Sequence, residues 1–158
     1  MNHNGAVDPN ETDPSNQQGD DAMAQDSDGD GLPDAYEISI GGDPNDSDSD
    51  DDGVPDGIEI SPASDADGDG IPNFLDADSD NDGLFAGTEV GYGCLNAGTD
   101  LSKGNCIPDA DGALTVTDPL DPDTDDGGAS DGAEDFDHDG AVDAGEGDPT
   151  QGHGADDG

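Results

Sequence analysis

Residues 26–37 read DSDGDGLPDAYE, and the spacing of their acids decides what this chain can be. Asp26, Asp28 and Asp30 stand at alternate positions, followed by Gly31, Asp34 and Glu37. The pattern D-x-D-x-D-G-x-x-D-x-x-E is one in which a twelve-residue loop wraps a single calcium ion. Calcium is a hard cation that takes about six to eight oxygen ligands. Carboxylates at loop positions 1, 3 and 5 supply the first of them, and the backbone carbonyl of position 7, here Leu32, supplies another. Position 9, here Asp34, contributes directly or through water. The acid at position 12 closes the sphere, often with both oxygens. Gly31, at position 6, lets the chain turn sharply because glycine tolerates positive φ.

The pattern recurs along the chain. A second loop occupies 48–59 (DSDDDGVPDGIE), with Asp48, Asp50, Asp52, Val54, Asp56 and Glu59 in the ligand places. A third runs over 65–76 (DADGDGIPNFLD), with Asp65, Asp67, Asp69, Ile71, Asn73 at position 9 and Asp76 at position 12. The fourth, 78–89 (DSDNDGLFAGTE), follows almost at once with Asp78, Asp80, Asp82, Leu84 and Glu89. Its position 9 is Ala86, so water must fill that place. The short gap between Asp76 and Asp78 predicts carboxylates shared between neighbouring ions. The fifth, 123–134 (DTDDGGASDGAE), offers Asp123, Asp125, Ala129, Asp131 and Glu134, but Gly127 holds position 5. Asp126 is the residue placed to swing in for it. The sixth, 135–146 (DFDHDGAVDAGE), is complete with Asp135, Asp137, Asp139, Ala141, Asp143 and Glu146. All-oxygen loops of this kind suit calcium over magnesium, which demands tighter octahedral geometry, and over zinc, which draws His or Cys.

Composition points the same way. Of 158 residues 44 are acidic and one, Lys103, is basic, for a formal charge of −43, while only 27% are hydrophobic. So much like charge with so little apolar surface is the signature of a chain that stays disordered alone. Here, however, the acids keep register around glycines, so the counter-cation belongs to the structure. Six divalent ions cancel only 12 of the 43 charges, so the chain is expected to bind about six or more and to keep an anionic surface. Metal binding is then coupled to folding. Nucleic acid and anionic membrane are not expected as partners, because long-range repulsion opposes both. No apolar run is long enough for membrane insertion or a secretion signal.

Residues 2–14 (NHNGAVDPNETDP) and 137–149 (DHDGAVDAGEGDP) align without gaps at an offset of 135. The chain therefore reads as one long repeat plus an overlap, cut from a tandem array. Asn2, Asn4, Asp8 and Glu11 fall at positions 3, 5, 9 and 12 of a loop whose first ligand would precede Met1, so Met1 reads as an imposed boundary or a miscalled start. The expected organisation is a repeat end and connector over 1–25, four loops over 26–89, an inserted apolar segment over 90–120, two loops over 121–149 and a polar tail over 150–158.

Two features oppose an EF-hand. Its loop needs an amphipathic helix on each side, whereas these flanks are polar, short or another loop. Successive loop starts lie only 22, 17 and 13 residues apart over the first four. Pro33, Pro55 and Pro72 occupy position 8, where paired EF-hands need a backbone N–H that proline lacks. Dockerin-type loops require a following helix, which the sequence does not offer.

The run D-x-D-x-D-G-[LVI]-P-D-x-x-E followed by G-x-D-P, most complete over 26–45, resembles the bacterial thrombospondin type 3 repeat. The resemblance covers 26–89 and 121–149. It implies an irregular chain with little regular secondary structure, its tandem loops stapled by closely spaced calcium ions. It also implies an extracellular or cell-surface setting, as a connector or stalk.

Cys94 and Cys106 enclose a short ring and in an exported protein are expected to form a disulfide, worth roughly 3 kcal/mol on the loop-entropy model. His3 and His138, at loop position 4, are expected to point into solvent, and Lys103 to meet a surface carboxylate. The stretch LTVT at 114–117 alternates and is β-branched, which predicts a short strand. Tyr92, Leu95 and Leu114 belong to an insert expected to pack, or else to serve as a binding surface. The function expected is a calcium-rigidified stalk or spacer of tandem repeats, in a surface adhesin or fibre. The alternative is a recognition or self-assembly module whose insert or chain ends bind a partner, including further copies of itself. No nucleophile and base stand in catalytic spacing, so an enzyme is not expected.

Overall fold

The computed structural model describes residues 25–151, so the incomplete loop at Asn2 to Glu11, His3 and most of the polar tail lie outside the described residues. What it describes is mostly irregular. The regular elements are three helices, α1 (Asp34–Ile40), α2 (Ala86–Glu89) and α3 (Asp131–Glu134), and one 3₁₀ turn, Asn73–Leu75. No strand occurs among the described residues, and no helix is long and apolar enough to cross a membrane.

Each element grows out of a loop at the same point. At position 8 the chain is extended, as at Pro33 (ψ 138°) and Pro72 (ψ 147°); the Pro33 carbonyl accepts from N–H groups three and four residues on, and that of Pro72, which starts the 3₁₀ turn, from Leu75 three residues on. Glu37 and Glu59 reach back to Pro33 and Pro55 at 3.2 and 3.3 Å, and Glu89 and Glu134 to Phe85 and Ser130, both at 3.1 Å. This single turn carries the position-12 side chain back toward the loop that precedes it. After the first loop it continues for seven residues as α1, until Gly41 (φ 104°) takes the left-handed cap and the N–H groups of Gly41 and Gly42 both close on the Glu37 carbonyl. A following helix, not expected from the sequence, is therefore present at one loop, because proline presets its first turn and glycine ends it.

The front half of every loop is a double corner. Position 4 is left-handed in all six, at Gly29, Asp51, Gly68, Asn81, Asp126 and His138, and the position-6 glycine is left-handed as well. In five loops the position-9 N–H closes the ring on the carbonyl just before position 1, for example Asp34 to Gln25 at 2.8 Å and Ala86 to Ala77 at 2.8 Å.

The expected strand at 114–117 is absent. The Asp111 carboxylate captures the N–H groups of Leu114 (2.7 Å) and Thr115 (3.0 Å), a local side-chain to backbone bond that competes with strand pairing. The apolar core is small: Leu32, Val54, Phe74, Ala77, Leu84 and Ala86 are the buried hydrophobic residues among those described. Phe74 is the largest of them and is fully enclosed against the end of α1, where a Cβ on Gly42 would stand 2.8 Å from its ring.

The 90–120 segment is not an apolar packing hub. Leu95 is 96% and Leu114 85% exposed, and Tyr92 is exposed too. It is instead a polar bracket. The disulfide Cys94–Cys106 forms as expected, with Cα atoms 5.8 Å apart, and its ring lies on the second loop. Asn105 donates to the Asp50 carbonyl (2.7 Å), the Asp100 N–H to Asp51 (2.5 Å), and Thr99 and Asn96 to the Asp48 carboxylate. Farther along, Thr117 binds Glu89 through both backbone and side chain, and the Ala110 N–H meets the Asp139 carbonyl at 2.7 Å. Hydrogen bonds, not apolar contacts, hold the insert in place.

Candidate metal centres

Facing carboxylate oxygens from positions 1, 3 and 5 come within 4.8 Å of one another in four loops: Asp26, Asp28 and Asp30; Asp48, Asp50 and Asp52; Asp65, Asp67 and Asp69; and Asp78, Asp80 and Asp82. In the sixth loop the grouping is Asp135, Asp137 and Glu146. Acidic clusters on a surface are common, so the decisive observation is elsewhere. Several of these oxygens are buried and lack any hydrogen-bond partner: Asp28 Oδ2, both oxygens of Glu37, Asp48 Oδ1, Asp50 Oδ2, Glu59 Oε1, Asp80 Oδ2, Glu89 Oε2 and Asp125 Oδ2. They fall only on positions 1, 3 and 12. Buried polar atoms are normally satisfied, and an unpaired buried carboxylate is costly. Glu37, with 0% exposure, cannot be satisfied by bulk water. These atoms belong to the first, second, fourth and fifth loops, where a cation could meet them, and an all-oxygen donor set is of the kind that suits calcium.

The electrostatics carry the same message. Burial, then repulsion by Asp52, pushes the Glu59 carboxyl up to about 9. Burial, then Asp80, does the same for Glu89, also to about 9, and burial with Asp28 and Asp30 takes Glu37 to about 7. Asp50 is raised by burial and by Asp52. The protein alone does not compensate these charges, because the described residues hold a single Lys, and its Nζ lies 3.7 Å from Asp51 with its side chain 60% exposed.

Positions 5 and 9 also brace the loop. One oxygen of each position-5 acid accepts the position-7 N–H: Asp30 from Leu32 (2.6 Å), Asp52 from Val54 (2.7 Å), Asp69 from Ile71 (2.7 Å), Asp82 from Leu84 (2.7 Å) and Asp139 from Ala141 (3.1 Å). Position-9 acids are tied to position 2. Asp34 accepts from the N–H and hydroxyl of Ser27, Asp56 from those of Ser49 and Asp131 from those of Thr124, at 2.5–2.9 Å. Asn73 accepts the Ala66 N–H at 3.1 Å. The position-2 hydroxyls were not singled out from sequence, although the signal was there: Ser or Thr stands at position 2 wherever Asp stands at position 9 in the first, second and fifth loops.

Two residues depart from expectation. Asp126 sits exposed at the left-handed corner of the fifth loop, as position 4 does everywhere, and does not replace Gly127. Gly127 instead donates its N–H to Asp123 (2.9 Å) and Asp125 (2.7 Å). His138 is half-buried, its ring Nε2 3.1 Å from the Gly132 carbonyl, so it serves as a contact between the fifth and sixth loops. In the sixth loop Glu146, which groups with Asp135 and Asp137, also accepts the N–H groups of Phe136 (3.0 Å) and Asp143 (2.8 Å). Asp76, at position 12 of the third loop, accepts the Asp78 N–H at a long 3.4 Å.

Comparison with family models, with curated proteins and with solved structures returns no match to this chain.

Proposed function

We propose that this protein is an extracellular calcium-binding structural element, a stalk or spacer of tandem loops resembling bacterial thrombospondin type 3 repeats. Calcium, at about six or more sites, takes the place of an apolar core, and the disulfide fits an oxidising compartment outside the cell. The observation that carries this reading is the set of buried, unpartnered carboxylate oxygens at positions 1, 3 and 12. Stiffness follows from the same chemistry: each ion fixes a loop whose backbone has no ladder or long helix to hold it. The role is that of a rigid connector within a surface adhesin or fibre, without enzymatic activity. Calcium titration of the chelator-washed chain, followed by calorimetry and limited proteolysis, tests it. The expected result is uptake of about six ions with a steep rise in compactness and protease resistance. A chain equally compact and protease-resistant in chelator overturns it.

One observation favours a second reading, recognition or self-assembly. Leu95, Leu101 and Leu114 of the insert stand in solvent. Sedimentation with and without calcium distinguishes the two: a concentration-independent monomer removes self-assembly, and partner binding abolished by Leu95→Asp or Leu114→Asp supports recognition.

A further inference from the structure

Four of the loops are joined by a repeated bond that the ligand pattern does not require. The second oxygen of Asp30, in the first loop, accepts the N–H of Gly57, position 10 of the second, at 2.9 Å. Asp52, in the second loop, accepts from Gly87, position 10 of the fourth, at 2.6 Å. Asp82, in the fourth, accepts from Gly132, position 10 of the fifth, at 2.6 Å. The glycines have no room for a side chain. A Cβ on Gly57 would stand 2.5 Å from the Asp30 carbonyl, one on Gly132 2.6 Å from the Asp82 carbonyl, and one on Gly87 would strike the Asp52 carbonyl more closely still. None of the three has positive φ, so glycine is there for space and not for backbone freedom.

The loops outside this line lack one half of the device. Position 10 is Phe74 in the third loop and Ala144 in the sixth, and neither can sit against a preceding position-5 carbonyl in this way. The first loop, with Ala35 there, begins the line, and the fifth, with Gly127 at position 5, ends it because it has no carboxylate to pass on. Burial agrees. Position 7 is covered where another loop docks on it, at Leu32, Val54 and Leu84, whereas Ile71 of the third loop is 42% exposed.

We propose, resting on the calcium reading above, that the first, second, fourth and fifth loops form one coupled calcium-binding line. In it, each position-5 aspartate serves both its own site and the docking of the next loop. Aspartates 30, 52 and 82 each give one oxygen to their own position-7 N–H and the other to the next loop's glycine. Ordering such a carboxylate within its own loop therefore presents the acceptor that orders the next, and the coupling is reciprocal. The third and sixth loops take up calcium outside the line.

The test is calcium titration of the chelator-washed full chain, read by calorimetry and by amide hydrogen exchange resolved loop by loop. Wild type is expected to protect 26–37, 48–59, 78–89 and 123–134 in one steep step, with 65–76 and 135–146 following separately. Gly87→Ala should split that step into two, the later half needing about 5- to 150-fold more calcium, the ordinary range of site-to-site coupling. Gly132→Ala should displace only 123–134, and Ala144→Gly should change nothing. Alanine is a better helix former than glycine, so a loss in Gly87→Ala or Gly132→Ala reports the lost docking. If wild type takes up calcium and both glycine variants reproduce its single step, the coupling is wrong and the calcium reading stands. The coupling is equally wrong if both variants lose all six loops together. A wild-type chain that takes up no calcium overturns both.

Discussion

The second and third loops begin with nearly the same words, DSDDDGVP and DADGDGIP, and end up in opposite surroundings. In the second, Asp48, Asp50, Asp51 and Asp52 are all buried, whereas in the third Asp65 and Asp69 are exposed. Their internal geometry is the same: the left-handed corner at position 4, the left-handed glycine at position 6, and the position-5 carboxylate on the position-7 N–H. The difference comes entirely from neighbours. The disulfide ring lies over one side of the second loop and Gly87 of the fourth loop docks on another, while the third is anchored by buried Phe74 and by Asn73, whose amide donates to the Ile60 and Ser61 carbonyls just before it. A ligand pattern thus builds a loop, but its environment is supplied from elsewhere in the chain.

The largest expected effect is calcium removal. At a calcium concentration about a thousandfold above the dissociation constant, each site contributes roughly 4 kcal/mol of linked stability. Chelation should therefore erase amide protection in both loops. The loss should be greater at 48–59, where most buried acids are left uncompensated, and equal losses would remove the contrast. Next comes Phe74→Ala, expected to cost about 3–5 kcal/mol. It should release 65–76 while leaving 48–59 protected, which exchange measurements would show directly. Cutting the ring by Cys94→Ser with Cys106→Ser should do the converse. It should cost roughly 3 kcal/mol on the loop-entropy model and lower calcium affinity at 48–59, with 65–76 unmoved. An affinity at 48–59 unchanged in the double variant would mean that the ring is only a neighbour. Thr99→Val, which deletes one hydroxyl donor to Asp48, is a smaller version of the same change, about 1–2 kcal/mol, again confined to 48–59.

The smallest effect is in pH, and its sign is particular to the metal-free chain. Folding raises the Glu59 and Glu89 carboxyls from an ordinary value of 4.5 to about 9. Stability from their neutral forms is fully present below about pH 4.5 and is lost as pH rises through about 9. In chelator, the chain should be more compact at pH 4 than at pH 9 by light scattering. A radius independent of pH would show that these carboxyls are not buried without the ion.

Much of the candidate site was legible in residue order because acidic loops of this kind are local objects. Asp26, Asp28 and Asp30 reach one point through backbone corners set by Gly29 and Gly31, so twelve consecutive residues suffice to recognise them. The braces between position 2 and position 9 are equally local. What escaped the sequence were side-chain to backbone contacts that compete with its expectations, some local and some between distant residues. The expected strand at 114–117 gave way to the Asp111 turn, and His138, expected in solvent, meets the Gly132 carbonyl. The insert, expected to pack through its apolar side chains, is held by Asn105, Thr99 and Thr117 instead.

Sequence by itself determined which acids draw together in the first four loops, and that the chain would be irregular and strongly anionic. Those properties depend on neighbours within a dozen residues and on composition. Only the tertiary structure decided that the fourth loop, and not the third, follows the second, and that the fifth closes the line. Glycines 57, 87 and 132 are visible in the sequence as small residues at position 10. That each fills the space over a particular carbonyl 27 to 50 residues away depends on the path of the whole chain.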